Sequence, residues 1–275
     1  MKKVNFTYPN GFKKAFTLSY DDGVYQDIRF IEIINKYNLR ATFNLNSGVP
    51  AGTRGNCDGV DIVRMDLNKT VDLYKGHEIA IHSLTHPDLV KLSKEDIKKE
   101  ILEDKINLEK IYNTEVSGMA YPFGTYDEDV INVIREIGVS YSRTVKDTEK
   151  FILPDNFLKW HPTCRHENPK LMTLAEEFLS STSSDMSLFY VWGHSYEFDV
   201  NDNWNIIEDL ARYISNKDNV WYATNKEIYN YITALKSVEV LDDDKRIINK
   251  SNMDIYAEMD KNLILIPAGQ TCEYN

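Results

Sequence analysis

Cysteine is scarce in this chain of 275 residues: Cys57, Cys164 and Cys272 lie far apart, with no CxxC pair among them. That spacing suggests neither a zinc knuckle nor a disulfide framework, and a sparse, odd count suits a reducing compartment. Positive charge is also in deficit, with 32 Lys and Arg against 43 Asp and Glu, a formal net charge of −11. Nucleic-acid binders carry a basic patch or stripe, so no nucleic-acid partner is expected. No apolar run approaches bilayer length, and no apolar segment follows the basic start Met1-Lys2-Lys3. Neither a membrane span nor a signal peptide is therefore read. The cytoplasm is the expected compartment, with secretion open if a leader has been removed. Internal repeats and low-complexity segments are lacking as well.

What is present is alternation. Hydrophobic residues at 42% and charged residues at 27% are ordinary for a folded globular chain, and the length allows one large core plus a small appendage. Lys13 to Gly23 (KKAFTLSYDDG) alternates as a strand and stops abruptly at Asp21-Asp22-Gly23. An amphipathic helix is predicted near 26–38 and a second strand over 40–47. A long loop follows over 48–65, then a short helix near 66–75 and a third strand over 77–83. Ser93 and Asp96 resemble a capping box opening a charged helix that runs to about Tyr112. Beyond it, strands are predicted near 118–122, 139–145, 158–161, 188–193 and 219–223. Helices are predicted over 127–137, 170–180, 204–216 and 225–236.

Seven or eight strand–helix units of this kind point to an α/β fold, a distorted parallel barrel. The texture changes near Val238 to short alternating segments at 238–241, 255–258 and 263–266. The expected division is a catalytic barrel over 1–236 and a small β appendage over 237–275.

Two of the six histidines stand together as His82-Ser83-Leu84-Thr85-His86, at the end of the third strand. In isolation that pair reads as a buried histidine and a loop cap, and Asp21-Asp22-Gly23 reads as a solvated turn. Both stand at carboxyl ends of strands, however, and parallel α/β folds build their active sites on that side. Two imidazoles and one carboxylate make a three-ligand metal site with positions left for water and substrate. The other carboxylate is then free to act as a base.

Together these motifs resemble the polysaccharide deacetylase (NodB-type) family, carbohydrate esterase family four, over about residues 13–235. The family's first motif, Thr-Phe-Asp-Asp-Gly, appears here as Ser19-Tyr20-Asp21-Asp22-Gly23, and its His-Ser/Thr-x-x-His motif as His82–His86. The resemblance implies a distorted barrel that removes acetyl groups from glycans. It implies Asp21 as general base and Asp22, His82 and His86 as ligands of a divalent metal, zinc first, with cobalt, nickel or manganese as alternatives.

The family's Arg-Pro-Pro-Tyr-Gly motif aligns with Ala120-Tyr121-Pro122-Phe123-Gly124. By that alignment the Phe123 backbone N–H helps hold the oxyanion, and Tyr121 lies at the substrate. The arginine that tethers the base is replaced by Ala120, and Arg143 on the next strand is the candidate substitute. His194, after the strand Leu188–Gly193, takes the place of the general acid, with Glu197 as its orienting carboxylate. Gly193 replaces the leucine of the acetyl pocket, and Trp192 is the candidate in its stead. Trp160 is a second candidate beside the acetyl methyl.

The implied partner is an acetylated glycan or a small acetylated compound. The rival readings are a small-amide deacylase, a non-heme iron oxygenase built on the same ligand types, and a non-catalytic glycan binder.

Overall fold

The computed structural model describes residues 4–241, 246–260 and 262–273, and it alternates strand and helix as the periodicity predicts. After β1 (Asn5–Thr7) come β2 (Lys14–Asp21), α1 (Gln26–Lys36) and β3 (Ala41–Leu45). A hairpin of β4 (Arg54–Cys57) and β5 (Val60–Val63) then precedes β6 (Glu78–Ile81). Next are α2 (Lys94–Tyr112), β7 (Gly118–Ala120), α3 (Glu128–Ile137), β8 (Tyr141–Arg143) and β9 (Cys164–Arg165). They lead to α4 (Leu171–Ser180), β10 (Ser187–Gly193), α5 (Glu197–Val200), α6 (Asn205–Ile214), β11 (Val220–Tyr222) and α7 (Asn225–Leu235). The tail carries β12 (Val238–Leu241), β13 (Arg246–Asn249), β14 (Ile255–Met259), β15 (Asn262–Ile266) and β16 (Thr271–Glu273).

All of β2 is buried, as expected of a central strand covered on both faces. Its alternation sorts the two faces. Phe16, Leu18 and Tyr20 face outward and join Phe30, Ile31 and Ile34 of α1 in the main apolar core. Each such side chain contributes about 1.5–3 kcal/mol on full burial. Thr17, Ser19 and Asp21 face inward, where their partners are polar. Thr17 donates to Asn225 Oδ1 at 3.0 Å, and Asn44 donates to Ser19 Oγ at 2.9 Å. The polar stripe along β2 thus climbs the barrel interior and ends at Asp21.

The eight parallel strands run β8-β7-β6-β3-β2-β10-β9, with β11 added against β2. A single segment closes the curl. Trp160 donates to Ser142 O and accepts from Thr144 N–H, both at 3.0 Å, while Thr163 N–H donates to Tyr190 O at 2.9 Å. One stretch of chain therefore touches both free edges, and the fold is the distorted α/β barrel expected. Below the site, Tyr141, Trp160 and Tyr190 fill the interior as an aromatic floor. Tail strands cover that floor: β1 pairs with β14, and Ile255 and Ile266 share a core with Tyr8 and Tyr231.

Three segments differ from expectation. Residues 66–75 hold a single 3-10 turn (Leu67–Lys69), because Asp66 accepts from Asn68 N–H and the Thr70 hydroxyl ties back to Leu67 O. The 48–65 loop contains the β4–β5 hairpin, and its Asp58-Gly59 turn has positive φ at both residues, 47° and 89°, which is the requirement of a tight hairpin turn. Residues 157–159 form a 3-10 turn rather than a strand, and the pairing strand is β9.

Candidate active site

A cleft of about 670 Å³ opens at the carboxyl ends of β2, β6 and β10, with Asp21, Asp22, His82, His86, Phe123 and His194 on its walls. Asp21 is the last residue of β2 and still points inward, opposite Asn44 of β3. Asn44 Nδ2 donates to its Oδ1 at 2.8 Å, and Arg143 Nη2 grips its Oδ2. Both partners of that ion pair are buried. The β7–β8 register sets Ala120 beside Arg143, so the arginine stands one strand over from the alanine at the same height.

Asp22 leaves the ladder with φ at 90°, a left-handed conformation that is costly for a side-chain-bearing residue. The turn aims its carboxylate away from that of Asp21. Arg64, just past β5, reaches over to it: Nη2 lies 2.7 Å from Asp22 Oδ1, while Nη1 bonds the Asp22 carbonyl and Asn46 Oδ1. Asn46 Nδ2 in turn donates to the carbonyls of His82 and Ser83. One guanidinium therefore links the turns carrying the first and second motifs.

His82 donates through Nδ1 to Ala120 O at 2.9 Å, which leaves the Nε2 lone pair free. Its backbone N–H is shared by Leu45 O and the Asp104 carboxylate of α2. Positive φ at Ser83 and His86, 64° and 61°, folds the His82–His86 turn so that the two rings meet edge-on at 4.8 Å. One ligand atom from each of Asp22, His82 and His86 then lies within 4.8 Å of the others. Two imidazole nitrogens and a carboxylate fit a divalent ion of the zinc type. Asp22 Oδ1, buried and paired with Arg64, makes no aligned hydrogen bond and so keeps a lone pair for such an ion.

His194 follows β10, and its Nε2 lies 3.7 Å from Asp21 Oδ2 and 3.9 Å from Asp22 Oδ2. Glu197 accepts from both its Nδ1 (3.0 Å) and its backbone N–H (3.2 Å), fixing the ring. Arg165 holds Glu197 from behind, and the His166 ring lies beside it, Nε2 at 3.4 Å. The preceding residue is glycine for a steric reason: a Cβ on Gly193 would come within 1.9 Å of His166 Nδ1. The His166 ring fills the space of the leucine expected there, stacked against Phe198 at 4.2 Å with its Nδ1 3.1 Å from the Tyr20 hydroxyl.

Of the substrate candidates, Trp192 lines the cleft, with Nε1 on Asp147 and its ring under the Arg143 guanidinium. Tyr121 also borders the cleft, although its hydroxyl is spent on Leu158 O. Phe123 stands exposed at the rim on left-handed backbone (φ 58°), its ring against His86. Trp160 is not at the cleft. It is fully buried in the barrel floor among Tyr141, Phe157 and Tyr190, because its position on the closing segment turns it inward. Arg64, Asn44, Asn46 and His166 carried no local sequence signal; each reaches its partner from a different element.

Burial alone would raise both aspartates. The Arg143 guanidinium brings Asp21 below its ordinary value, and that of Arg64 does so for Asp22. Burial keeps His82 and His194 below the usual imidazole range and brings His86 to about 4, so all three are neutral at pH 7. Elsewhere, burial raises Asp27, Glu78 and Asp104 to about 7.

The two sets act oppositely on stability. Each lowered histidine binds its proton more tightly when unfolded, so stability rises with pH from the folded value up to the ordinary 6.5. Each raised acid makes stability fall as pH rises from 3.8 or 4.5 to about 7. All six histidines are lowered, so they outnumber the acids. Urea unfolding of the metal-free chain is expected to show stability rising between pH 4.5 and 6.5, and rising more steeply in Asp27→Asn. A flat or falling wild-type curve would contradict the assignment.

Residues 9–142 match the polysaccharide deacetylase family model. That match takes in Asp21, Asp22, His82, His86 and Phe123 and ends one residue before Arg143. No curated protein matches the chain in sequence. Among solved structures, a Mycobacterium smegmatis protein assigned to the polysaccharide deacetylases aligns at TM-score 0.60 and 15% identity, over 86% of this chain and 96% of its own. The Xyl-CE4 domain of a multidomain xylanase, from the hindgut metagenome of Trinervitermes trinervoides, aligns at 0.50 and 16%, over 81% and 92%. A Streptococcus pyogenes deacetylase solved with acetate aligns at 0.42 and 22%, over 47% of this chain; the chain spans 55% of that protein. At these identities the structural likeness is one of fold.

Proposed function

Because the chain belongs to the polysaccharide deacetylase family, we propose that it is a metal-dependent hydrolase removing an acetyl group, N- or O-linked, from an acetylated glycan. The observation that carries this reading is one cleft in which a tethered carboxylate, a three-ligand donor set and a buttressed histidine converge.

Asp22, His82 and His86 would hold the ion, zinc in our reading. When bound, such an ion supplies Lewis-acid polarisation of the acetyl carbonyl and a more acidic water. Asp21, kept ionised by Arg143 and oriented by Asn44, takes the proton of the attacking water. The Phe123 backbone N–H is assigned to the oxyanion. His194 hands a proton to the leaving amine or alkoxide, its ring held by Glu197 so that Nε2 faces the reaction. Trp192, between two guanidinium groups, forms the apolar side of the acetyl pocket.

The deciding experiment measures acetate release from a panel of acetylated oligosaccharides by chelator-treated chain, with and without added zinc. Restored zinc is expected to raise turnover about 100-fold or more. No release from any panel member with zinc present would sink the hydrolase reading and leave glycan binding.

A further inference from the structure

Each carboxylate of the Asp21-Asp22 pair has its own arginine, from a different element. Asp21 meets Arg143 on β8, and Asp22 meets Arg64 at the end of the hairpin. The Arg143 pair serves the base. The Arg64 pair is unexpected, because it places a permanent cation on the carboxylate whose neighbours are two neutral imidazoles and whose geometry suits a metal. We propose that Arg64 is a positioning residue that sets the charge of the metal site: it neutralises Asp22, so that an ion held there is bound more weakly and keeps more of its own charge for the substrate oxygen. This rests on the metal reading above.

Two effects of opposite sign compete at Arg64, and the structure indicates which is larger. As an orienting group, Arg64 holds the Asp22 side chain and carbonyl and, through Asn46, the His82–His86 turn. Its removal would loosen the ligands. Much of that orientation has independent support, since Asp22 N–H stays bonded to Asn44 O at 2.9 Å, and His82 is held by Ala120 O and Asp104. As a charge, Arg64 has no substitute. Nη2 sits 2.7 Å from Asp22 Oδ1 with only 18% of its side chain exposed, so its repulsion of a divalent ion bound to the same carboxylate is poorly screened. With Arg64 replaced by an apolar residue, Asp22 Oδ1 would be left without its paired cation until an ion binds. The electrostatic effect is therefore the larger one, and losing the guanidinium should tighten the site.

The test is calorimetric titration of metal-free chain with zinc alone, using a competing chelator, on wild type, Arg64→Met and Arg64→Lys. Circular dichroism confirms the fold of each. Arg64→Met is expected to bind zinc about tenfold more tightly than wild type, and Arg64→Lys, which keeps the charge but not the two-pronged grip, within about threefold of it. Equal or weaker binding by Arg64→Met overturns the proposal. If Arg64→Met does not fold, the lysine variant decides: about tenfold weaker binding would make geometry rather than charge the role of Arg64. Wild type that binds no divalent ion at all would instead overturn the metal reading, and this inference with it.

Discussion

Asp21→Asn is expected to lower kcat for acetate release by about a thousandfold while the chain still binds its metal. The amide cannot take a proton from water, whereas the candidate ligand atoms of Asp22, His82 and His86 are untouched. The change also carries a structural cost. Asn44 already donates to one Asp21 oxygen, so the new amide must keep its oxygen there and turn its NH₂ toward Arg143. A buried guanidinium then faces a donor, and a lower melting temperature should accompany the lost turnover. Rates measured well below that temperature, together with a zinc titration, separate the two. An asparagine variant with more than about a tenth of wild-type kcat would remove Asp21 from the role of base.

The second large effect is expected for Arg143→Met. This pair lies deep in the barrel, both side chains almost wholly excluded from water. Removing one partner leaves an unpaired buried charge, which costs about 3–5 kcal/mol of folding stability. Functionally, the Asp21 carboxyl loses the strongest influence opposing its burial, so its pKa rises and the acid limb of kcat/KM moves to higher pH. Denaturant unfolding and a pH–rate profile check the two halves. Because Ala120 lies beside Arg143 in the β7–β8 register, Ala120→Arg in the same background is the natural rescue. A loss below about 1 kcal/mol with an unmoved acid limb would show that Arg143 is not the tether.

How much of this was legible in the sequence depended on how local each signal was. The Asp21-Asp22-Gly23 turn and the His82–His86 pair each lie within five residues, at the same end of parallel strands, so pattern and strand polarity sufficed. Arg143 was reachable because the next strand must bring its inward residue to the same height as Ala120. His166 was not, since it fills the space above Gly193 from the turn after β9, and an absent side chain does not say what replaces it. Arg64 depends on a hairpin whose Asp58-Gly59 signal sits within a long polar loop, with no apolar alternation in Arg54–Cys57 to mark the first of its strands. Trp160 is placed beside the acetyl methyl by the family's tryptophan motif alone, whereas the chain reaches it from a 3-10 turn and directs it into the floor.

The closing segment at Trp160 has a mechanical meaning. A barrel whose two edges are joined through one stretch of chain is a hoop with a clasp, and the Arg143–Asp21 pair is a spoke across it, since β8 and β2 are separated by three strands in the sheet order. Opening the clasp would leave β8 held by β7 and by the spoke alone, so closure of the hoop and the ionised state of Asp21 are coupled. The amides that report it are those of Thr144 and Trp160, whose bonds fasten the hoop. Their hydrogen exchange measures how often the machinery is taken apart without the chain unfolding.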